Sequence, residues 1–234
     1  MKIARLSLME GLKQARGITV VIDVFRAFTC EPLMYRVGAR QIYIEADIGK
    51  CRKMRGDAVL VGEENELPIE GFDLTNSPSL ILKRGRTLFE GRDVIHRTSA
   101  GVTGAVEAMK LSDEVLLASF VNAKATAEYI LSKNPEIVSI AAMGIRALKK
   151  APEDEFCGDY IESLLSGTPY DHTRAVIDTL LHETAQNFLR GDKDYMPKED
   201  PAICLQRDLF DFALKAEWDG ERIAVRKVAS VDDL

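Results

Sequence analysis

Residues 18–30, ITVVIDVFRAFTC, join two patterns at a single acid. Ile18 to Ile22 is an unbroken apolar, β-branched run, as expected of a strand buried on both faces. The run stops at Asp23, and Arg26, Thr29 and Cys30 follow on what reads as the opening turn of a helix. A core strand that ends on a carboxylate, with a guanidinium three residues later, puts two charged groups at the rim of the core.

The same rhythm continues outward. Further apolar runs predict strands at QIYIEA (41–46), AVLVGE (58–63), RDVIHRT (92–98), EVLLASF (114–120) and IVSIAAM (137–143). Amphipathic stretches between them predict helices at Phe28–Val37, Ile48–Met54, Leu80–Arg84, Thr103–Met109 and Ala123–Lys133. Strand and helix alternating through short connections means α/β: a mostly parallel sheet with helices on both faces. After about residue 150 the texture changes. PEDEFCGDYIESLL predicts a helix with acids in its first turn, where the helix dipole favours them. Helices over Thr173–Phe188 and Pro201–Leu214, a charged loop RGDKDYMPKEDP between them and a last strand ERIAVRKV make this a helical C-terminal third. The expectation is one α/β domain over residues 1–234, with a helical subdomain from about 150.

Composition narrows the function. A formal net charge of −6 argues against a nucleic-acid partner held by bulk charge. No apolar stretch approaches the 18 or so residues that cross a bilayer. Glu10 and the lack of a small-residue cleavage site argue against a signal peptide at the start. The four cysteines, Cys30, Cys51, Cys157 and Cys204, form no CxxC pair and suggest neither a zinc ribbon nor a disulfide framework. A reducing cytoplasm is the expected location. A homodimer is a further expectation, on which the sequence is silent.

In parallel α/β sheets, ligands bind beyond the carboxyl ends of the strands. Polar residues recur there: Asp23 and Arg26, Glu63 and Glu64, then Arg97, Thr98, Ser99 and Gly101, then Asn122, then Gly144 and Arg146, with Glu153 and Asp154 close behind. Singly, most have a structural explanation: an acid after a strand caps the next helix, and GFDLTNSP reads as a turn with Asn76 or Ser77 as cap and Pro78 at the first helical position. Five successive strand ends together favour a site. Acids with oxygen-rich neighbours suit Mg²⁺; arginines and a glycine–hydroxyl loop at a helix start suit an oxyanion. Together they describe phosphoryl transfer to water. Of the three histidines only His96 lies near these ends. No GxSxG, Walker A or GxGxxG pattern occurs, and the second Asp of a haloacid-dehalogenase-type phosphatase is replaced by Phe25.

VVIDVFRAFT, VGEENELPIEGFDLTNSP, HRTSAGVTG, ASFVNAKATA and PEDEFCGDYI resemble, in order, the blocks of the 2-phosphosulfolactate phosphatase family, covering roughly residues 18 to 165. The resemblance implies a Mg²⁺-dependent phosphatase that hydrolyses 2-phosphosulfolactate, or a similar small phosphorylated 2-hydroxy acid, to the hydroxy acid and phosphate on the route to coenzyme M. It implies that Asp23 is an active-site acid, that Arg26 holds an anion and that Glu63 is a metal-binding or acid–base carboxylate. Asn76 and Ser77 would line the pocket, and Glu153 and Asp154 would join Asp23 and Glu63 around the metal. Arg97, Thr98, Ser99, Gly101, Asn122 and Arg146 complete the expected substrate contacts. The alternative is a non-catalytic or weakly active relative that binds a small anionic metabolite. Three departures fall at the proposed pocket. Ala100 and Val102 stand where the family loop has Asn and Thr, Thr75 stands where a glycine is usual, and Arg97 replaces a hydroxyl. Each lost polar contact to a buried substrate oxygen should cost about 1–3 kcal/mol of discrimination.

Overall fold

Ile18–Ile22 is a strand, buried at all five positions. In the computed structural model, which describes residues 1–229, it is one of ten strands in a single sheet. The strands are β1 (Lys2–Ser7), β2 (Ile18–Ile22), β3 (Gln41–Ile44), β4 (Val59–Glu64), β5 (Leu67–Pro68), β6 (Asp93–Arg97), β7 (Glu114–Ala118), β8 (Ile137–Ala142), β9 (Ala213–Trp218) and β10 (Ile223–Val228). The helices are α1 (Leu8–Leu12), α2 (Ala27–Arg36), α3 (Ile48–Met54), α4 (Pro78–Phe89), α5 (Gly101–Ala108), α6 (Ala123–Lys133), α7 (Pro152–Ser166), α8 (His172–Leu181), α9 (Glu183–Leu189) and α10 (Asp200–Cys204).

The sheet order is β1-β8-β2-β7-β9-β10-β3-β6-β4-β5. β1, β8, β2 and β7 pair in parallel, as do β3, β6 and β4. Between these blocks lies the hairpin β9–β10, antiparallel to both neighbours and within itself. Three antiparallel pairings in succession reverse the second block relative to the first. Despite that reversal, both blocks deliver their carboxyl ends to one place: Asp23, after β2, accepts a 2.8 Å hydrogen bond from Gly101 N, after β6.

Successive residues of β2 point to opposite faces. Val21 packs with Phe28, Leu33 and Met34 of α2 and Val102 and Ala105 of α5. Val20 and Ile22 pack with Ala127 and Ile130 of α6 and Ile161 of α7. Helices therefore cover both faces, as the continuous apolar runs predict. α2 carries Pro32 in its interior, which leaves the carbonyl four residues earlier without its helical donor. That carbonyl, Phe28 O, accepts from Ser119 Oγ at 3.1 Å, so the helix is pinned to the end of β7.

The helical C-terminal third is corrected. The helix expected over Pro201–Leu214 stops at Cys204, and Ala213–Trp218 is β9, in the middle of the sheet with β10. The helix expected over Thr173–Phe188 breaks at His182, whose extended backbone ends α8 and whose ring caps α9 by accepting from Thr184 N. β1, absent from the sequence-based expectation, is an edge strand paired only with β8; its Lys2 and Arg5 hide the pattern. No helix among the described residues is long and apolar enough to cross a membrane.

Candidate active site

A cleft opens where the strand ends converge. Asp23, Phe25, Arg26, Glu63, Asn76 and Ala100 line it from the strand ends, and Arg146, Glu153, Asp154 and Phe188 from the C-terminal segments. Asp23 directly follows β2 and is almost wholly buried. Its Oδ1 accepts from Ala27 N (3.1 Å) at the start of α2, and its Oδ2 from Gly101 N at the start of α5. Two helix N-termini thus grip one carboxylate, the arrangement their dipoles favour. Gly101 is required for that approach: a Cβ there would sit 2.7 Å from Asp23 Oδ2 and 2.9 Å from Ala27 Cβ. Burial still outweighs the two amides. It raises the Asp23 carboxyl to about 6, with repulsion from Glu63 adding to the shift.

Glu153 and Asp154 enter from the first turn of α7. Burial raises Glu153 to about 7, and Asp23 repels it further; its Oε2 accepts from Thr184 Oγ1 at 3.0 Å. Asp154 accepts from Val24 N and Gly144 N, both at 2.7 Å, and burial together with Asp23 and Glu153 pushes it up strongly. Glu63 clamps the loops around it, accepting from Ser99 N (2.5 Å), Ser99 Oγ (3.1 Å) and Glu66 N (2.6 Å).

Cations oppose these acids. Arg26 is buried over the Phe188 ring, its guanidinium carbon 5.1 Å from the centroid. Its Nη1 donates to Tyr195 O and Asp200 Oδ2, each at 2.9 Å. Among the described residues Nε and Nη2 have no protein acceptor and remain for a ligand. Arg146, about half exposed, pairs with Glu66 at 2.9 Å.

The donors are hard oxygens, the kind Mg²⁺ takes. Among the described residues no group of three or more acidic, His or Cys side chains forms a ready cage. Mg²⁺ ordinarily needs only one or two carboxylates, with water and substrate phosphate supplying the rest. The fit is carried by electrostatics: Asp23, Glu63, Glu153 and Asp154 share one cleft, Glu63 repels Asp23, and Asp23 in turn raises Glu153 and Asp154.

A family model for 2-phosphosulpholactate phosphatase matches residues 6–217. The chain belongs to that family. It is 29% identical to a protein named probable 2-phosphosulfolactate phosphatase from Bacillus subtilis, across 90% of this chain and 92% of the relative. Proteins of the same name from Thermoplasma volcanium and Clostridium botulinum are 28% and 31% identical, covering 86% and 88% of this chain and 91% and 90% of theirs. The family is one of phosphoric monoester hydrolases, as the sequence motifs imply.

Within this family member, the cleft unites Asp23, Arg26, Glu63, Asn76, Ser99, Arg146, Glu153 and Asp154 of the expected site. Gly101 reaches it through its amide. Four other expected contacts lie behind the wall. Ser77 caps α4, accepting from Leu80 N, and donates to Asp200. Thr98 Oγ1 accepts from Val102 N in the first turn of α5. Arg97 braces the Glu63 carbonyl and Ser99 Oγ. Asn122 spends its amide on Ser119 N and Leu117 O. Each satisfies a backbone or loop group that would otherwise be buried unpaired.

Of the loop departures, Ala100 lines the cleft, whereas Val102 is buried in the core. Thr75 is not among the residues with positive φ, so the turn has no need of glycine there. All four cysteines are buried and free. Missing from the expected site are Thr184 and Phe188 on α9 and Asp200 at the start of α10. The EDP sequence at Asp200 reads as a solvated loop, and the only local hint was a proline at the second helical position.

Proposed function

We propose that the chain hydrolyses 2-phosphosulfolactate, or a closely similar phosphorylated 2-hydroxy acid with a second anionic group, in the presence of Mg²⁺. The observation that carries this reading is the cleft itself. Buried acids that raise one another's protonation range lie beside a buried arginine with two free donors, in a chain whose relatives carry that substrate in their names. Mg²⁺, held by Asp23 with Glu63, Glu153 and Asp154, would offset their repulsion and neutralise charge on the phosphoryl oxygens.

The chain's own groups divide the work. Arg26 offers Nε and Nη2 to an anionic oxygen, and Arg146 can exchange Glu66 for the second anionic group. Asp23, held rigid by two amides, orients the attacking water and accepts its proton. Glu153, raised to about 7 in the metal-free cleft, is the acid most readily left protonated, and where it stays outside the ligands of the metal it gives a proton to the leaving oxygen.

Phosphate release from 2-phosphosulfolactate, phospholactate, phosphoglycolate and p-nitrophenyl phosphate, each with Mg²⁺ and with chelator, tests the reading. The expected result is metal-dependent turnover that favours the doubly anionic ester. No release from any member by folded protein would reject it in favour of an anion-binding role.

The same acids predict an unusual pH dependence of stability. A carboxyl whose folded pKa is raised contributes stability that is fully present below its unfolded value and is lost as pH rises through the folded value. For Asp23 that window runs from the ordinary 3.8 to about 6, and for Glu153 from 4.5 to about 7. Within it each group changes stability by about 1.4 kcal/mol per pH unit. His172, lowered by burial, acts in the opposite sense. Metal-free protein should melt higher near pH ~5 than near ~7.5, and Mg²⁺ should stabilise it more at the higher pH. Calorimetry at the two pH values, with and without Mg²⁺, measures both. A metal-free melting temperature that rises with pH would contradict the assignment.

A further inference from the structure

Asn76 lines the cleft, and its amide is not free to turn. Its Oδ1 lies 2.9 Å from His96 Nε2, and His96 Nδ1 lies 2.9 Å from Glu31 Oε1. Glu31 and His96 are completely buried, so the three residues form a chain from the core to the ligand space. Neither His96 nor Glu31 has a part in the chemistry described above. As a purely structural link the arrangement is poor. Among the described residues Glu31 Oε2 has no hydrogen-bond partner, and an apolar trio of similar volume would serve stability as well or better.

The chain does specify which way the amide faces. Burial raises the Glu31 carboxyl while His96 opposes the shift, as expected for two groups that share one proton. Two completely buried groups are held at least cost with no net charge; in that neutral pair, whichever side of the Oε1···Nδ1 contact holds the proton, Nε2 carries an N–H and donates to Asn76 Oδ1. The Asn76 amino group, which has no protein acceptor among the described residues, is then left to the cleft. The flipped amide would need a lone pair on Nε2 and would add one more oxygen to a cleft already lined by five carboxylates.

We propose that His96, itself set by Glu31, is a positioning residue that locks Asn76 as an N–H donor to the phosphoryl oxygens of the substrate. The inference rests on the phosphatase reading of the cleft and deepens it. It adds a neutral, pre-aimed donor, one that discriminates for an oxyanion without adding charge.

Two substitutions of similar size test it. In His96→Asn the side chain reaches only the Nδ1 position, so it can pair with Glu31 but not with Asn76. In His96→Gln an N–H is carried out to the Nε2 position and can still donate to Asn76 Oδ1. The readouts are the affinity for inorganic phosphate by calorimetry, the shift of the Asn76 side-chain amide resonance on phosphate addition, and KM and kcat on 2-phosphosulfolactate. His96→Asn should weaken phosphate binding and raise KM about tenfold with a smaller change in kcat, and should abolish the resonance shift. His96→Gln should stay within about threefold of the parent in both constants.

Equal losses in the two variants, no loss in His96→Asn, or no phosphate-dependent shift of Asn76 in the parent protein would overturn the proposal. Should neither variant fold, Glu31→Gln decides. Its amide can donate to Nδ1 and preserve the chain, so phosphate affinity should hold within about threefold, and a larger loss in folded protein rejects the idea. If the parent releases no phosphate from the ester, the phosphatase reading fails by itself, while the phosphate-binding and resonance measurements still decide the role of His96.

Discussion

Asp23→Asn should lower kcat about 10²- to 10⁴-fold, the range typical of losing a positioned proton acceptor, while the protein stays folded. The side chain is isosteric, so the cleft keeps its shape. Its charge and one acceptor are lost. Asp23 Oδ1 and Oδ2 each accept one backbone amide, so the new amino group must face either Ala27 N or Gly101 N, donor against donor. An unpaired buried donor costs about 1–3 kcal/mol. Against this, removing a carboxylate raised from 3.8 to about 6 relieves about 3 kcal/mol near neutral pH. The two effects nearly cancel, and the melting temperature should move by only a few degrees. The decisive measurement is steady-state phosphate release beside a melting curve. Activity within tenfold of the parent would remove Asp23 from the chemistry. A collapsed melting temperature would make its role structural.

Asp200→Ala should give the largest loss of stability. Asp200 is completely buried, and its Oδ2 pairs with Arg26 at 2.9 Å. Its Oδ1 gathers Ser77 Oγ (2.9 Å), Ser79 N (3.0 Å) and Ser79 Oγ (2.5 Å). Removing it strands a buried guanidinium and three further donors. Breaking one side of a buried ion pair costs about 3–5 kcal/mol, or roughly 6–20 °C in melting temperature for a chain of this size. Activity should fall as well, because Arg26 loses the contact that aims Nε and Nη2 at the cleft and, among the described residues, retains only Tyr195 O and the Phe188 ring. Asp200→Asn should keep the Ser77–Ser79 cluster while turning a donor toward Arg26, and so should fall between the two. A melting temperature for Asp200→Ala within about 2 °C of the parent would show that the pair holds nothing in place.

These two acids also mark the boundary of what can be read from the chain. Asp23 stands out because it ends an apolar run, and the rule that ligands gather beyond strand ends then finds Arg26, Glu63, Arg146, Glu153 and Asp154 as well, while Asn76 comes from the family resemblance. The rule overreaches at Thr98 and Asn122, and the resemblance at Ser77. A hydroxyl or amide at a strand end serves a ligand or a backbone amide with the same atoms, and only proximity tells which. Asp200 lies 174 residues from Arg26, in a stretch whose charge reads as solvated. Glu31 is invisible for the opposite reason: on a helix between Cys30 and Pro32 it passes for a surface acid, yet it has no exposed area.

The strands divide in the same way. β2, β4, β6, β7 and β8 declare themselves because burial on both faces demands an unbroken apolar run. The segment ALKAEW does not, since its residues favour a helix in isolation. It is a strand because β7 and β10 offer it hydrogen-bonding edges on both sides, and pairing and packing override local preference in sheets. Local sequence pattern therefore determined the alternating α/β framework and the acid just after β2, while the ordered motif blocks carried the resemblance to the family. The tertiary structure decided that β9 and β10 complete the middle of the sheet, which polar side chains meet in the cleft, and that Asp200 and the Glu31–His96 pair aim two of them. Backbone state follows from neighbours in sequence, whereas the partners of a buried charge are chosen by packing between segments far apart in the chain.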